Sequence, residues 1–123
     1  MNQRLLVSVV DDDESVRESL PDLLREFGFA VKAFPSAEMF LASGDAEATR
    51  CLILDIAMPG MCGPELQQEL ARRGYAIPII FITAHGDAAE RPRLIRQGAV
   101  DCLMKPFSEA ALLKALSAAL PVG

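Results

Sequence analysis

The sequence predicts an α/β fold in which helices cover both faces of a five-stranded parallel sheet. This prediction rests on the pattern of apolar residues along the chain. Short apolar, β-branched runs alternate along the chain with segments whose apolar residues recur at helical spacing. Strict alternation of strand and helix is typical of a parallel sheet whose strands are joined by crossover helices. A length of 123 residues suits one domain, and we expect residues 1–123 to form it.

Five strands are predicted, each from a short apolar run. They cover residues 5–10, 29–34, 51–54, 78–82 and 100–104. The first and third runs end abruptly in acid, at Asp11 and Asp55. The right-handed crossover rule leaves few ways to arrange five such units, and we expect the flavodoxin-like strand order 2-1-3-4-5.

Five helices are predicted to follow these strands. They cover residues 14–27, residues 36–42, residues 64–73, a segment that reaches Gln97, and residues 108–120. Asp13, Ser36 and Ser108 are the expected N-caps, and Pro64 suits the first turn of a helix. Pro92 has no amide hydrogen, so we expect it to shorten or delay the fourth helix.

The composition excludes several classes of function. The apolar fraction of 51% argues against disorder, and the net charge of −5 argues against direct binding of nucleic acid or anionic membrane. No apolar run approaches the roughly 20 residues of a membrane span, and no signal peptide is seen, so a cytoplasmic protein is expected. Cys51, Cys62 and Cys102 lack paired metal-ligand spacing and are expected to be free thiols.

Polar residues follow four of the five strands, and the expected topology brings these strand ends to one edge of the sheet. Three aspartates at residues 11–13 follow the first strand, Asp55 the third, Thr83 the fourth and Lys105 the fifth. Carboxylates this close repel one another, a cost that a divalent cation removes. Oxygen ligands without His or Cys indicate Mg²⁺, with Mn²⁺ as an alternative. A carboxylate can accept a phosphoryl group, and phosphoryl transfer requires this positioning and charge stabilisation, so the edge is predicted to be a phosphoryl-transfer site.

Four segments resemble the signatures of bacterial two-component response regulator receiver domains. They are residues 10–13, 54–63, 82–85 and 105–107. The segments occur in the family's order, each after its own strand. Residues 84–87 and 98–101 further resemble the FixJ-type subgroup. The resemblance covers essentially the whole chain and implies a CheY-like fold with a single receiver, or phosphoacceptor, domain.

The resemblance also implies a metal site and a nucleophile. Asp55 is the implied phosphoacceptor. Asp11 and Asp12 are the implied acid pair, with Asp12 the direct metal ligand and Asp11 acting partly through water. The backbone carbonyl of Ala57 is implied as a further ligand of Mg²⁺.

Further residues have roles implied by the same resemblance. The Thr83 hydroxyl would bond a phosphoryl oxygen, and the Lys105 ammonium would pair with the phosphoryl group. The bond between Lys105 and Pro106 is implied to be cis. Cys102 stands at a switch position where the family usually carries a Tyr or Phe whose ring moves with the threonine. How phosphorylation is relayed without this ring is left open. The alternative interpretation of Cys102 is a small buried residue that only fills space in the core. His85 is interpreted as a loop residue, with a role in dephosphorylation left open.

The implied function is a phosphorylation-controlled signalling switch. A sensor histidine kinase would supply the phosphoryl group, and an output domain outside this sequence, such as a helix-turn-helix, would regulate transcription. A homodimer formed on phosphorylation through the region of the fourth helix and fifth strand is a further expectation. The chain is not expected to be an enzyme, beyond self-phosphorylation from small phosphodonors and autodephosphorylation.

Two other functions remain as alternatives. A haloacid-dehalogenase-like phosphatase also uses Mg²⁺ and an aspartate nucleophile, but it places the nucleophile first and an acid pair late, which residues 11–15 and the later sequence fit poorly. A pseudo-receiver would bind partners without phosphate. The intact acceptor, acid pair, threonine and lysine argue against it, although Cys102 leaves it open.

Overall fold

The computed structural model describes residues 4–84 and 88–120, and its five strands form one parallel sheet. The strands are β1 (Leu6–Val10), β2 (Ala30–Phe34), β3 (Thr49–Asp55), β4 (Ile79–Thr83) and β5 (Asp101–Met104). Their order is β2-β1-β3-β4-β5, which confirms the predicted topology. All four strand pairs are parallel.

The helices follow the predicted alternation. They are α1 (Glu14–Glu26), α2 (Ala37–Ser43), α3 (Gly63–Arg72), α4 (Arg91–Arg96) and α5 (Glu109–Ala119), with a 3-10 turn at Ala88–Glu90 before α4. The predicted N-caps are present, since the side chains of Asp13, Ser36 and Ser108 each accept a backbone hydrogen bond from the first turn. Pro92 lies in the first turn of α4, which has only six residues, as the missing donor led us to expect.

Two buried apolar clusters hold the helices to the sheet. One joins α2, α3 and α4 to one face, and the other joins α1 and α5 to the opposite face. Successive residues of β3 alternate between the clusters, with Leu52 and Leu54 in the first and Cys51 and Ile53 in the second. The central strands are therefore buried on both faces, which explains their continuous apolar runs.

The strand β3 begins at Thr49, two residues before the predicted start at Cys51. Thr49 is buried, and its hydroxyl lies 2.7 Å from the Ser8 hydroxyl of β1, while it also donates to the backbone carbonyl of Asp45. These partners satisfy a polar side chain inside the sheet. An apolar run alone could not indicate this extension, because Thr49 is polar and its partner across the sheet, Ser8, lies 41 residues away in the sequence.

Among the described residues, no helix is long and apolar enough to cross a bilayer.

Candidate functional site

The register of the sheet places the predicted site residues at its carboxyl edge. Val10 of β1 pairs with Leu54 of β3, so the residues that follow them, Asp11 and Asp55, leave the sheet side by side. In the same way Thr83 pairs with Met104 in β5, directly before Lys105.

The three predicted acids form one cluster. One carboxylate oxygen from each of Asp11, Asp12 and Asp55 can be chosen so that all three lie within 4.8 Å of one another. Asp11 is fully buried and Asp55 is 6% exposed, whereas Asp12 is exposed to solvent. The cluster therefore has two buried carboxylates and one open side.

Lys105 is the cation of this cluster, and it pairs more closely with Asp11 than with Asp55. Its Nζ lies 2.8 Å from Asp11 Oδ2 and 4.0 Å from Asp55 Oδ2. Asp11 Oδ1 accepts a hydrogen bond from the backbone N–H of Asp13, at 2.9 Å. The lysine is thus held at the buried end of the cluster.

The electrostatics of the cluster leave Asp55 poorly compensated. Burial raises the pKa of the Asp55 carboxyl to about 7, the Asp11 carboxylate acts in the same direction, and Lys105 opposes both. Burial lowers the pKa of Lys105, but the contact with Asp11 and the charge of Asp55 outweigh burial and raise that pKa above its usual value. Three carboxylates face one ammonium group, so the cluster lacks positive charge.

The cluster's chemistry fits a hard divalent cation. All its side-chain donors are carboxylate oxygens, which Mg²⁺ prefers. Asp11 Oδ2 is buried, and the Lys105 ammonium at 2.8 Å is the partner that the described part of the chain offers it. Ala57, whose carbonyl is the further predicted ligand, is exposed in the loop directly after β3.

The loop after Asp55 folds back tightly on itself. The Gly63 N–H donates to the Ile56 carbonyl at 2.9 Å, and a Cβ on residue 63 would lie 2.4 Å from the Asp55 carbonyl oxygen. Only glycine fits at this position. The sequence indicated Gly63 solely as part of a motif, and a glycine directly before Pro64 at a helix start was the available signal.

The loop after β1 is held by a residue that the sequence pattern did not indicate. Arg17 of α1 donates from Nη1 to the backbone carbonyl of Asp11 at 2.9 Å. Asp13 caps α1, and its hydrogen bonds from the side chain and backbone of Ser15 lower the pKa of its carboxyl. The loop that carries the acid pair is therefore tied to the first turns of α1.

The remaining predicted residues lie on or directly after β4 and β5. Thr83 is 2% exposed, and its backbone carbonyl accepts a 2.7 Å hydrogen bond from the Lys105 N–H. The Lys105–Pro106 peptide bond is cis. Cys102 is half-buried and packs against the cluster under α2, α3 and α4. His85 lies outside the described residues.

The chain is similar to known proteins in both sequence and structure. A family model described as "Response regulator receiver domain" matches residues 7–117. Nodulation protein W of Bradyrhizobium diazoefficiens is 48% identical over 116 residues, which cover 94% of this chain and 51% of that protein. Transcriptional regulatory protein FixJ of Azorhizobium caulinodans is 42% identical over 120 residues, covering 98% and 57%. The chain spans about half the length of the curated relatives it matches.

The solved structures that superpose on this chain include response regulators. The crystal structure of FixJ-N superposes with a TM-score of 0.84 at 40% identity and covers 100% of this chain and 99% of that one. The response regulator StyR superposes with a TM-score of 0.87 at 49% identity, covering 96% and 60%.

Proposed function

This chain belongs to the response regulator receiver domain family, and we propose that Asp55 is the residue on which it accepts a phosphoryl group. The observation that carries the proposal is the cluster of Asp11, Asp12 and Asp55 with Lys105 at the carboxyl edge of the sheet. Receiver domains of response regulators are phosphorylated by histidine kinases, so the proposed donor is the phosphohistidine of a sensor kinase. The family match gives no support to a phosphatase or to a phosphate-independent pseudo-receiver.

The proposed reaction transfers one phosphoryl group to a carboxylate. An Asp55 oxygen attacks phosphorus, the phosphorus–nitrogen bond of the phosphohistidine breaks, and the electron pair leaves with the kinase imidazole. The product on Asp55 is an acyl phosphate. The Thr83 hydroxyl donates a hydrogen bond to a phosphoryl oxygen, and the Lys105 ammonium moves from Asp11 towards the new negative charge.

Mg²⁺ is the proposed cofactor, with Mn²⁺ as an alternative. Asp12 and Asp55 would hold it directly, Asp11 partly through water, and Ala57 through its backbone carbonyl. When bound, the ion would neutralise the acid cluster and the phosphoryl oxygens. Asp55 and Asp11 supply buried oxygens for this purpose, and Asp12 supplies the exposed one.

The wider role rests on the relatives. We propose that residues 1–123 act as a single receiver domain that regulates transcription through an output domain outside this sequence, since one relative is named a transcriptional regulatory protein. A homodimer through α4 and β5 is part of the proposal, and the partly exposed Ile95 and Met104 on these elements support it. Catalysis beyond self-phosphorylation from small phosphodonors and autodephosphorylation is not expected, and neither is direct binding of nucleic acid.

Phosphorylation of Asp55 is testable by intact mass. We expect the wild type, incubated with Mg²⁺ and acetyl phosphate, to gain the mass of one phosphoryl group, and Asp55→Asn to gain none because it lacks the nucleophilic oxygen. Asp22→Asn is the matched control, since Asp22 is an exposed acid of α1. Equal labelling of the wild type and Asp55→Asn would contradict the assignment.

The metal site has a separate test. At free Mg²⁺ about tenfold above its Kd, binding adds about 1.4 kcal/mol to the free energy of unfolding, which raises the melting temperature by roughly 3–6 °C. We expect Asp12→Asn to lose most of this rise, because it removes one carboxylate ligand. Thermal melts with Mg²⁺ and with NaCl of equal ionic strength measure it. The same rise in both proteins would count against Asp12 as a ligand.

A further inference from the structure

A carboxylate outside the acid cluster contacts the loop that follows the phosphoacceptor. Glu38 lies in the first turn of α2, and its Oε2 accepts a 2.9 Å hydrogen bond from the backbone N–H of Met61. Met61 belongs to the β3–α3 loop, residues 56–62, which begins directly after Asp55. We propose that Glu38 is a positioning residue that fixes the β3–α3 loop and, through it, the Ala57 carbonyl beside the acid cluster. The functional part of this inference rests on the proposed role of Asp55.

The loop backbone is shaped to receive this carboxylate. Gly60 has a φ of +75°, a conformation that favours glycine. A Cβ on residue 60 would lie 2.7 Å from Glu38 Oε2. The backbone conformation thus favours glycine at the residue that precedes Met61, and a Cβ there would push the Glu38 carboxylate away from its hydrogen bond.

Few other hydrogen bonds hold the backbone of the β3–α3 loop. The loop is closed at its base by the hydrogen bond from Gly63 to Ile56, and Cys62 donates to the side chain of Glu65 within α3. For residues 57–61, the described part of the chain shows one hydrogen bond, the one that Glu38 accepts. Met58 and Met61 add apolar packing, since Met58 lies in the buried cluster that includes α2 and Met61 packs against that cluster.

Because Glu38 is exposed, its role in positioning the loop can be distinguished from a role in folding. Glu38 is exposed, and surface substitutions of this kind usually change stability little. Its contact with Met61 spans 23 residues of sequence, so it couples α2 to the loop rather than stabilising one helix. Losing the contact frees the backbone that carries Ala57, and the effect on metal binding is larger than the effect on folding.

Glu38→Ala and Glu38→Gln test the inference, because glutamine keeps an acceptor oxygen without the charge. We expect Glu38→Ala to speed amide hydrogen exchange of Met61 in the metal-free protein, to raise the Kd for Mg²⁺ and to slow phosphorylation by acetyl phosphate. Each effect is roughly three- to tenfold, the range that one ordinary hydrogen bond supports. Glu38→Gln lies between the wild type and Glu38→Ala in all three measurements, since a neutral amide oxygen still accepts the bond but without the charge of the carboxylate.

Glu47→Ala is the matched control. Glu47 is an exposed acid in the α2–β3 loop, at the opposite edge of the sheet, so its removal changes the net charge equally without touching the β3–α3 loop. We expect it to behave as the wild type in all three measurements. An effect of Glu47→Ala equal to that of Glu38→Ala would show that net charge is responsible and would overturn the positioning role.

A double-mutant comparison probes the contact itself. Gly60→Ala introduces both the unfavourable φ and the clash with Glu38, whereas in a Glu38→Ala background the clash is absent. Gly60→Ala therefore raises the Kd for Mg²⁺ less in that background than in the wild type. Equal effects in the two backgrounds would count against the contact.

The outcomes distinguish this inference from the proposed function. Wild-type exchange at Met61 and wild-type Mg²⁺ affinity in Glu38→Ala overturn the positioning role, even if the melting temperature falls. Loss of Met61 protection and of Mg²⁺ affinity in Glu38→Ala supports the positioning role even if acetyl phosphate labels neither the wild type nor the variant, an outcome that would contradict the proposed self-phosphorylation of Asp55. Labelled wild type with an unimpaired Glu38→Ala refutes the positioning role alone.

Discussion

At the scale of single residues, the charge on Asp55 is the dominant energetic feature of the site. Asp55 is buried, and its carboxylate lies beside that of Asp11. The nearest positive charge among the described residues, Lys105 Nζ, is 4.0 Å from Asp55 Oδ2. Burial and the neighbouring acid raise the pKa of Asp55 to about 7. Ionisation of Asp55 near neutral pH therefore lowers the free energy of unfolding of the metal-free protein. Phosphoryl acceptance nevertheless requires the ionised form.

This charge predicts the pH dependence of an Asp55→Asn variant. Below pH 3.8 the carboxyl is neutral in both the folded and unfolded states. Between pH 4 and about 7 the unfolded chain loses the proton while the folded chain keeps it, so the free energy of unfolding falls as the pH rises. Above about pH 7 Asp55 is ionised in both states, so its unfavourable contribution to the free energy of unfolding no longer changes with pH. Asp55→Asn avoids this cost, and in EDTA at pH 8 we expect it to be more stable than the wild type by on the order of 2 kcal/mol, because solvent screening at the open side of the cluster removes about half of the roughly 4 kcal/mol that the full shift represents.

Urea unfolding in EDTA between pH 4 and pH 8 measures this difference. The advantage of Asp55→Asn shrinks towards zero at pH 4, whereas Asp22→Asn, an exposed change, follows the wild type throughout. An Asp55→Asn protein that is less stable than the wild type at pH 8 would show that Asp55 is better compensated than its burial and neighbours indicate.

At the scale of secondary-structure elements, the helix starts hold the loops that carry the site. Asp13 caps α1 directly after the acid pair, and α3 begins at Gly63, whose backbone packs against the Asp55 carbonyl. α1 also continues through Pro21, although proline donates no hydrogen bond within a helix. Pro21 is buried, and the packing of α1 outweighs its poor helix propensity.

Gly63→Ala tests the tight start of α3. The added Cβ would lie 2.4 Å from the Asp55 carbonyl oxygen, so the backbone must shift, at a cost of roughly 1–3 kcal/mol of unfolding free energy. We expect slower phosphorylation as well, because the shift moves Asp55. Gly44→Ala is the control: its φ is +79° with nothing within 4 Å of the added Cβ, so it costs about 1 kcal/mol and leaves phosphorylation unchanged. Denaturant unfolding and intact mass measure both, and a Gly63→Ala protein with wild-type stability would contradict the packing.

At the scale of the whole molecule, the two apolar clusters share one sheet. Because neighbouring residues of β3 point into opposite clusters, loss of packing on one face disturbs strands that the other face needs. The two faces are therefore expected to unfold together. The acids of the site follow β1 and β3, two strands from the interior of this sheet, so their positions depend on the packing of both faces.

Leu66→Ala and Leu112→Ala test the coupling, one in each cluster. Both side chains are fully buried, and each change is expected to lower the free energy of unfolding by roughly 2–5 kcal/mol. Far-UV circular dichroism reports the whole fold, and Tyr75 fluorescence reports the cluster that contains Leu66. We expect coincident transitions by both probes in both variants. Leu113→Ala, next to Leu112 but 43% exposed, changes stability by about 0.5 kcal/mol or less. A Leu112→Ala protein whose two transitions separate would show that the faces unfold independently.

Much of the architecture followed from local patterns in the sequence. Alternating apolar runs and helical periods indicated the element order, and the crossover rule then led to the strand order 2-1-3-4-5. Polar residues at the strand ends indicated which side chains meet, and Asp11, Asp12, Asp55 and Lys105 do lie together. Their individual roles in catalysis and metal binding stay predictions.

Asp55 and its companions were determined by the sequence alone, since a residue's place at the end of a strand is a local property and parallel strands bring those ends to one edge. Only the tertiary structure decided that Lys105 pairs more closely with Asp11 than with Asp55, that Gly63 has no room for a Cβ, and that Glu38 holds the loop at Met61. These are contacts of a few ångströms between residues of different elements and loops. Distances on that scale depend on how whole elements pack, which no local pattern of residues encodes.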